Sequence, residues 1–173
     1  MVTGKPLLTT EQISHRIKEL GNMISEDYEG KKLLAVGIMK GAFMFFSDLV
    51  KNIRTPLMVD FMVASSYLET NTTEEVKIFC DIRENISDKH VLLIEDIIDT
   101  GITLNYIREH MLAKSPESLR ICTLLDKKDR RRVDVQIDYR GFEIPNEFVV
   151  GYGLDYNDMF RNLPYISIFK KST

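Results

Sequence analysis

An open α/β fold, a mostly parallel twisted sheet flanked by helices, follows from two features of these 173 residues. Short apolar runs alternate with segments of helical periodicity, the pattern of strand–helix–strand units. The runs L-L-A-V-G-I-M and H-V-L-L-I are also apolar at successive positions, as strands covered by helices on both faces must be.

Each element can be justified in order. Thr9 and Gln12 have capping-box spacing, and Ile13, Ile17, Leu20 and Ile24 then follow a helical stripe. Leu33 to Met39 reads as a buried strand, broken by Lys40-Gly41, after which Phe43 to Ile53 resumes helical spacing. Leu57 to Ala64 is again strand-like, with Pro56 before it. Ser66 to Lys77 is polar without an apolar period, a long loop of the kind that serves as a lid. His90 to Ile94 is the central strand, and Thr103 to Lys114 a helix with Leu104, Ile107 and Met111 inward, ended by Ser115-Pro116. Leu119 to Leu125 is a further strand, and Arg140 to Phe169 holds shorter strands and turns. The expectation is one domain over residues 1–173. Its core spans about 30–130, and a small hood lobe forms from the N-terminal segment and about 131–173.

Composition narrows the function. Hydrophobic residues make up 44% and charged residues 28%, a globular balance rather than a disordered one. A net charge of −3 gives no electrostatic reason to expect a nucleic-acid partner. The basic run from Lys127 to Arg132 reads, for the most part, as a solvated loop face. Cys80 and Cys122 have no metal-ligand or redox spacing, so a reduced compartment is expected. The first residues lack an apolar signal region, and no apolar run approaches membrane-spanning length. The expectation is a cytoplasmic protein without membrane partners.

The chemistry concentrates in V-L-L-I-E-D-I-I-D-T-G-I-T, residues 91 to 103. In an open α/β sheet, ligands bind outside the carboxyl ends of the strands. Glu95 and Asp96 stand at such an end, and Thr100, Gly101 and Thr103 at the following helix entrance. Free N–H groups at a helix start, with two hydroxyls and a glycine that lets the chain turn, cradle a phosphate. Acids beside a phosphate are unfavourable, by roughly 1 kcal/mol per 4 Å pair in water and about 4 kcal/mol at an effective dielectric near 20. Vicinal sugar hydroxyls donating to the carboxylates, and a Mg²⁺ ion bridging to the phosphate, remove the conflict. A ribose phosphate with a metal meets both demands. A receiver-type phosphoacceptor site also uses acids at strand ends, but a T-G-I-T cradle directly after them does not suit it.

That stretch resembles the phosphoribosyl diphosphate (PRPP) signature of the type I phosphoribosyltransferases, and E-D-I-I-D-T-G resembles their hypoxanthine–guanine branch. M-K-G at 39–41, V-D-F at 59–61, S-Y at 66–67 and L-L-D-K up to Lys127 fall in family order. So do G-F-E-I-P at 141–145 and F-V-V-G-Y-G-L-D-Y-N-D-M-F-R at 148–161. The resemblance covers nearly the whole chain. It implies Mg²⁺-dependent transfer of 5-phosphoribosyl from PRPP to hypoxanthine or guanine, releasing pyrophosphate, in a homodimer or homotetramer.

The resemblance also implies residue roles. Glu95 and Asp96 would accept from the ribose hydroxyls beside Mg²⁺, and Asp99 would be the general acid/base at the purine N7. Thr100, Gly101, Ile102 and Thr103 would hold the 5′-phosphate. Ile102 departs from those relatives that place lysine there, which shifts the burden to backbone donors. Lys40 and Gly41 would bind pyrophosphate, with a Met39–Lys40 peptide that can be cis in the family, and Arg161 would be a second pyrophosphate contact. Ser66 and Tyr67 would belong to the lid.

In the implied purine pocket, Phe148 would stack on the base, Val149 would use its backbone, and Ile97 would form an apolar wall. Leu154 would lie near the base's C2 side, and Asp155 would hold a second Mg²⁺. Lys127, which can only donate, suits a 6-oxo acceptor and not the 6-amino group of adenine. Lys127 and Phe148 argue against a pyrimidine substrate. Xanthine against guanine depends on backbone geometry near Leu154. A PRPP sensor that binds nucleic acid is the reading from another class, and the net charge, Asp99 and Lys127 speak against it.

Overall fold

Thr9 starts the first helix as its spacing predicts. Its hydroxyl accepts from Gln12 N at 3.3 Å while Thr9 N donates to Gln12 Oε1 at 2.9 Å. Helix α1, Thr10–Asp27, buries Ile13, Ile17, Leu20 and Ile24. Each such side chain contributes about 1.5–3 kcal/mol, against about 1 kcal/mol for a cap, so docking of this face dominates over the cap. The structure is a computed structural model that describes residues 4–68 and 74–170.

Strand β1 is Leu33–Met39, helix α2 Phe43–Asn52, strand β2 Leu57–Leu68 and strand β3 Glu74–Cys80. Strand β4 is His90–Ile98, helix α3 Ile102–Leu112, strand β5 Ser118–Asp126 and strand β6 Tyr139–Glu143. The six strands form one sheet in the order β3-β2-β1-β4-β5-β6, parallel throughout except for β3 at its edge. The alternation of β1 divides its side chains between two cores. Leu33 and Ala35 join the side covered by α1 and α2, and Leu34, Val36 and Ile38 join the side of α3. The chain leaves β1 toward β2 on one side and runs from β4 through β5 to β6 on the other. The strand order therefore reverses between β1 and β4, and the crevice at their carboxyl ends is the ligand position of such a sheet.

A separate two-stranded antiparallel sheet pairs β7 (Val149–Val150) with β8 (Ser167–Ile168). Leu8 bridges to Ile166 beside it. Leu8, Val149, Tyr152, Leu154 and Ile166 share the core of α1 and α2, so this small sheet has no separate core.

Three sequence expectations need correction. The polar stretch from Ser66 to Lys77 is not a loop throughout. Strand β2 runs to Leu68 and pairs antiparallel with β3 from Glu74, while residues 69–73 of the expected lid lie outside the described residues. Cross-strand pairing, which single-chain periodicity does not register, extends these strands. Strand β4 continues past Ile94 to Ile98, so Glu95 and Asp96 are strand residues. Segment G-F-E, read within the lobe, is part of β6 in the main sheet.

Candidate active site

The loop after β1 is held at close quarters. The Met39–Lys40 peptide is cis, as the resemblance implies. A Cβ on Gly41 would fall 1.8 Å from Asp96 Oδ2, so any larger residue would force that carboxylate or the loop to shift. Gly153, at φ +100°, would place a Cβ 2.1 Å from the Gly41 carbonyl oxygen. The turns after β1, the end of β4 and the turn after β7 therefore interlock at one point.

Glu95 and Asp96 adjoin at this point, and alternation breaks beyond them. Ile97 packs toward Leu92 and Ile94, while Ile98 joins Val91 and Leu93. Asp96 Oδ1 accepts from Ile97 N at 2.8 Å, and Glu95 Oε1 from Asp96 N at 3.1 Å. Burial raises the pKa of both carboxyls, and the charge of Asp96 adds to the rise at Glu95. Such a pair awaits donors or a cation.

Asp99 and Thr100 follow, and Gly101 enters α3 in the left-handed region at φ +83°. No side chain caps this helix, leaving its first N–H groups for an anion, with only a long 3.4 Å contact from Ile102 N to Thr100 Oγ1. Behind them, Thr100 O accepts from Arg132 N and Val133 N at 2.9 and 3.1 Å, fixing the loop. A cavity of about 260 Å³ lies here, lined among others by Ser66, Glu95, Thr100, Gly101, Thr103 and Arg130. Its acid, hydroxyl and glycine wall matches a ribose phosphate.

Most of the basic run after β5 is exposed, as expected, with Lys127 and Arg131 the exceptions. Asp126, 1% exposed, pairs with Arg131 Nη2 at 2.6 Å and Arg140 Nε at 2.9 Å. Lys127 is buried, its backbone N–H donating to Ile98 O at 3.0 Å. Lys127 Nζ lies 3.7 Å from Asp99 Oδ2, and Arg130 Nε 2.8 Å from Asp99 Oδ1. Burial lowers the pKa of Lys127, and the Asp99 charge opposes that fall. Pairing with the buried Asp126 draws Arg131 inward, and Lys127 is buried beside Asp99, neither of which a run of like charges reveals.

A larger cavity of about 630 Å³ adjoins the first through Ile97, Asp99 and Arg130. It gathers Asp96, Lys127, Phe148, Val149, Leu154 and Asp155, all expected at the site. Phe148 is half exposed to it, braced edge-on by Tyr156 at 5.9 Å and Phe169 at 6.2 Å. An aromatic face, an apolar wall and a buried ammonium suit a flat base with an acceptor on its edge. Arg130, Asn146 and Glu147 also line it and were not singled out from sequence. Their signals were position: Asn146 and Glu147 directly precede Phe148, and a 3₁₀ turn, Lys128–Arg130, folds Arg130 back so that its N–H donates to Lys127 O at 3.0 Å.

Arg161 and Lys40 meet through acids. Arg161 Nη2 pairs with Asp155 Oδ1 at 2.7 Å and Asp158 Oδ1 at 3.5 Å, and Lys40 Nζ reaches the same Asp158 oxygen at 3.2 Å. Arg161 Nη1 also donates to Gly153 O at 2.7 Å. Two expected anion contacts thus converge on one carboxylate. Tyr67 is described only by its backbone, opposite Glu75 in the hairpin.

The donor set fits a hard cation in part. Glu95 and Asp96 are oxygen donors whose buried charge a cation would stabilise. Asp155 has Oδ1 on Arg161 and Oδ2 accepting from Asp158 N at 2.7 Å, which leaves its remaining lone pairs or a water for an ion. Among the described residues no three acids, histidines or cysteines form a closed ligand group, so such an ion needs substrate oxygens as well.

Residues 5–157 match the model of the phosphoribosyl transferase domain. The chain is 52% identical over 165 residues to the hypoxanthine-guanine phosphoribosyltransferase of Staphylococcus aureus, spanning 95% of this chain and 92% of that one. The crystal structure of a hypoxanthine phosphoribosyltransferase from Staphylococcus aureus has a TM-score of 0.92 at 50% identity, covering 96% of this chain and 91% of that chain. A hypoxanthine-guanine phosphoribosyltransferase from Bacillus anthracis, with a HEPES molecule in its active site, has a TM-score of 0.93 at 42% identity, covering 98% and 100%. The chain belongs to the phosphoribosyltransferase family, in the branch of the hypoxanthine-guanine phosphoribosyltransferases.

Proposed function

We propose that the protein transfers the 5-phosphoribosyl group of PRPP to hypoxanthine or guanine, giving the nucleoside monophosphate and pyrophosphate. The observation that carries this reading is the pairing of two cavities across Asp99. One has the wall of a ribose-phosphate site, and the other holds a buried ammonium beside a half-exposed aromatic ring.

In the reaction, the purine N9 attacks the anomeric carbon as the bond from that carbon to the pyrophosphate oxygen breaks. Asp99 accepts the proton from N7, and Lys127 donates to the 6-oxygen, which gathers charge as the ring rearranges. Glu95 and Asp96 accept from the ribose 2′- and 3′-hydroxyls, and the N–H groups around Gly101–Thr103 hold the 5′-phosphate. Lys40, Gly41 and Arg161 receive the pyrophosphate, displacing Asp158. Glu95, Asp96 and Asp155, together with substrate oxygens, would hold Mg²⁺, which would supply charge neutralisation of the diphosphate. Phe148 and Ile97 fix the base plane, Val149 and Leu154 its edge.

Ser66 and Tyr67 belong, in this reading, to a hairpin lid that excludes water; Ser66 lining the smaller cavity supports it. The reaction runs within one domain, core and hood together, in the cytoplasm, where free Cys80 and Cys122 fit a reducing environment. A homodimer or homotetramer is supported by the exposed Val59, Phe61 and Phe79 on β2 and β3. Among the described residues no helix is long and apolar enough to cross a membrane.

Asp99→Asn tests the mechanism. Turnover is expected to fall by about 10²–10⁴-fold with PRPP binding retained. Unchanged turnover would remove Asp99 from the proton transfer.

A further inference from the structure

Among the described residues, Asp99 is the one acid shared by the two cavities, and Arg130 is the one cation shared by them. Arg130 Nε stands 2.8 Å from Asp99 Oδ1, yet that buried oxygen has no aligned hydrogen bond. The contact is therefore charge attraction without the directionality that would fix it. A guanidinium carries five donors in a planar fork, and among the described residues the two terminal amino groups of Arg130 have no partner. Arg130 is 43% exposed by its side chain, so it can move. Lys127, the other cation beside Asp99, is 8% exposed and fixed, and lines only the larger cavity.

We propose that Arg130 is a positioning residue that couples the two substrates: it holds the Asp99 carboxylate while the phosphoribosyl cavity is empty, and turns its amino groups to the phosphoribosyl ligand when that cavity fills. This rests on the reading of the cavities as PRPP and purine half-sites. A guanidinium always carries its charge, so an anionic ligand competes directly with Asp99 for it. The ligand's arrival frees Asp99 Oδ1 to accept from the purine. Arg130 thereby makes purine binding follow occupation of the phosphate cradle, and by linkage the purine strengthens PRPP binding equally.

The test measures the affinity of 9-deazahypoxanthine, which has carbon in place of the nitrogen that would be ribosylated. Affinity is measured with and without saturating PRPP and Mg²⁺, on the whole chain, by calorimetry. Wild type should bind it more tightly with PRPP, by about 5- to 150-fold. In Arg130→Met, affinity without PRPP should rise and the ratio should fall to about twofold or less. Arg130→Lys, which keeps one charge without the fork, should also lose most of the ratio. A merely structural role would weaken binding with and without PRPP alike and leave the ratio intact. A wild-type ratio in either variant overturns the coupling role. Failure of wild type to bind either ligand would instead overturn the reading of the cavities.

Discussion

Lys127 Nζ stands 3.7 Å from Asp99 Oδ2, inside the range of charge attraction and beyond a hydrogen bond. Among the described residues the ammonium is thus held beside the acid by charge, without a hydrogen bond. Lys127→Met removes the donor while keeping much of the volume. Steady-state kinetics should show kcat/KM for hypoxanthine and guanine lower by about 10–100-fold, with adenine gaining relative to them. Undiminished preference for the 6-oxopurines would mean that another group reads the base edge.

Lys127 also gives a pH signature. Burial lowers its pKa from the ordinary 10.5. Between the lowered native value and the ordinary one, the unfolded chain holds a proton that the native chain has lost. Stability contributed by this site therefore rises with pH across that window, and its cost is fully present below the native value. Denaturant midpoints of wild type and Lys127→Met, measured from about pH 8 to about pH 10, should converge or cross in favour of wild type. A difference that stays flat with pH would contradict the buried, cost-bearing ammonium.

Gly41→Ala sets a methyl group 1.8 Å from Asp96 Oδ2. The carboxylate or the loop must move, at about 1–3 kcal/mol. Because Asp96 and Lys40 flank that contact, activity should fall by about 10²-fold, more than the stability loss alone would cause at a temperature where the variant is folded. Calorimetry and kinetics on one sample separate the two effects.

Much of this was legible in the chain. Ile13, Ile17, Leu20 and Ile24 announce α1 by period, and Leu33–Met39 announces β1 by its two-faced apolarity. The site residues from Glu95 to Thr103 were legible because one continuous stretch supplies them. Arg130 was not: its function depends on a turn that brings it back beside Lys127, and on Asp99, thirty-one positions upstream in sequence. The β2–β3 hairpin was hidden for a related reason. Its Ser and Glu residues lack an apolar period, and each strand is extended by the other's hydrogen bonds.

Asp126 illustrates what a run of basic residues can conceal. Its carboxylate is 1% exposed and lies between Arg131 and Arg140. Asp126→Ala should cost about 3–5 kcal/mol, because the largely buried Arg131 is left without its counter-charge. The denaturant midpoint reports this directly. A loss below about 1 kcal/mol would place the pair among surface bridges.

The most direct test of the central claim is pyrophosphate release from PRPP and Mg²⁺, with hypoxanthine, guanine, xanthine and adenine offered separately. Turnover is expected with hypoxanthine or guanine, and rejection of adenine by as much as about 10⁴–10⁵-fold in kcat/KM. Turnover with adenine at a comparable rate, or tight PRPP binding with no turnover on any base, would contradict that claim.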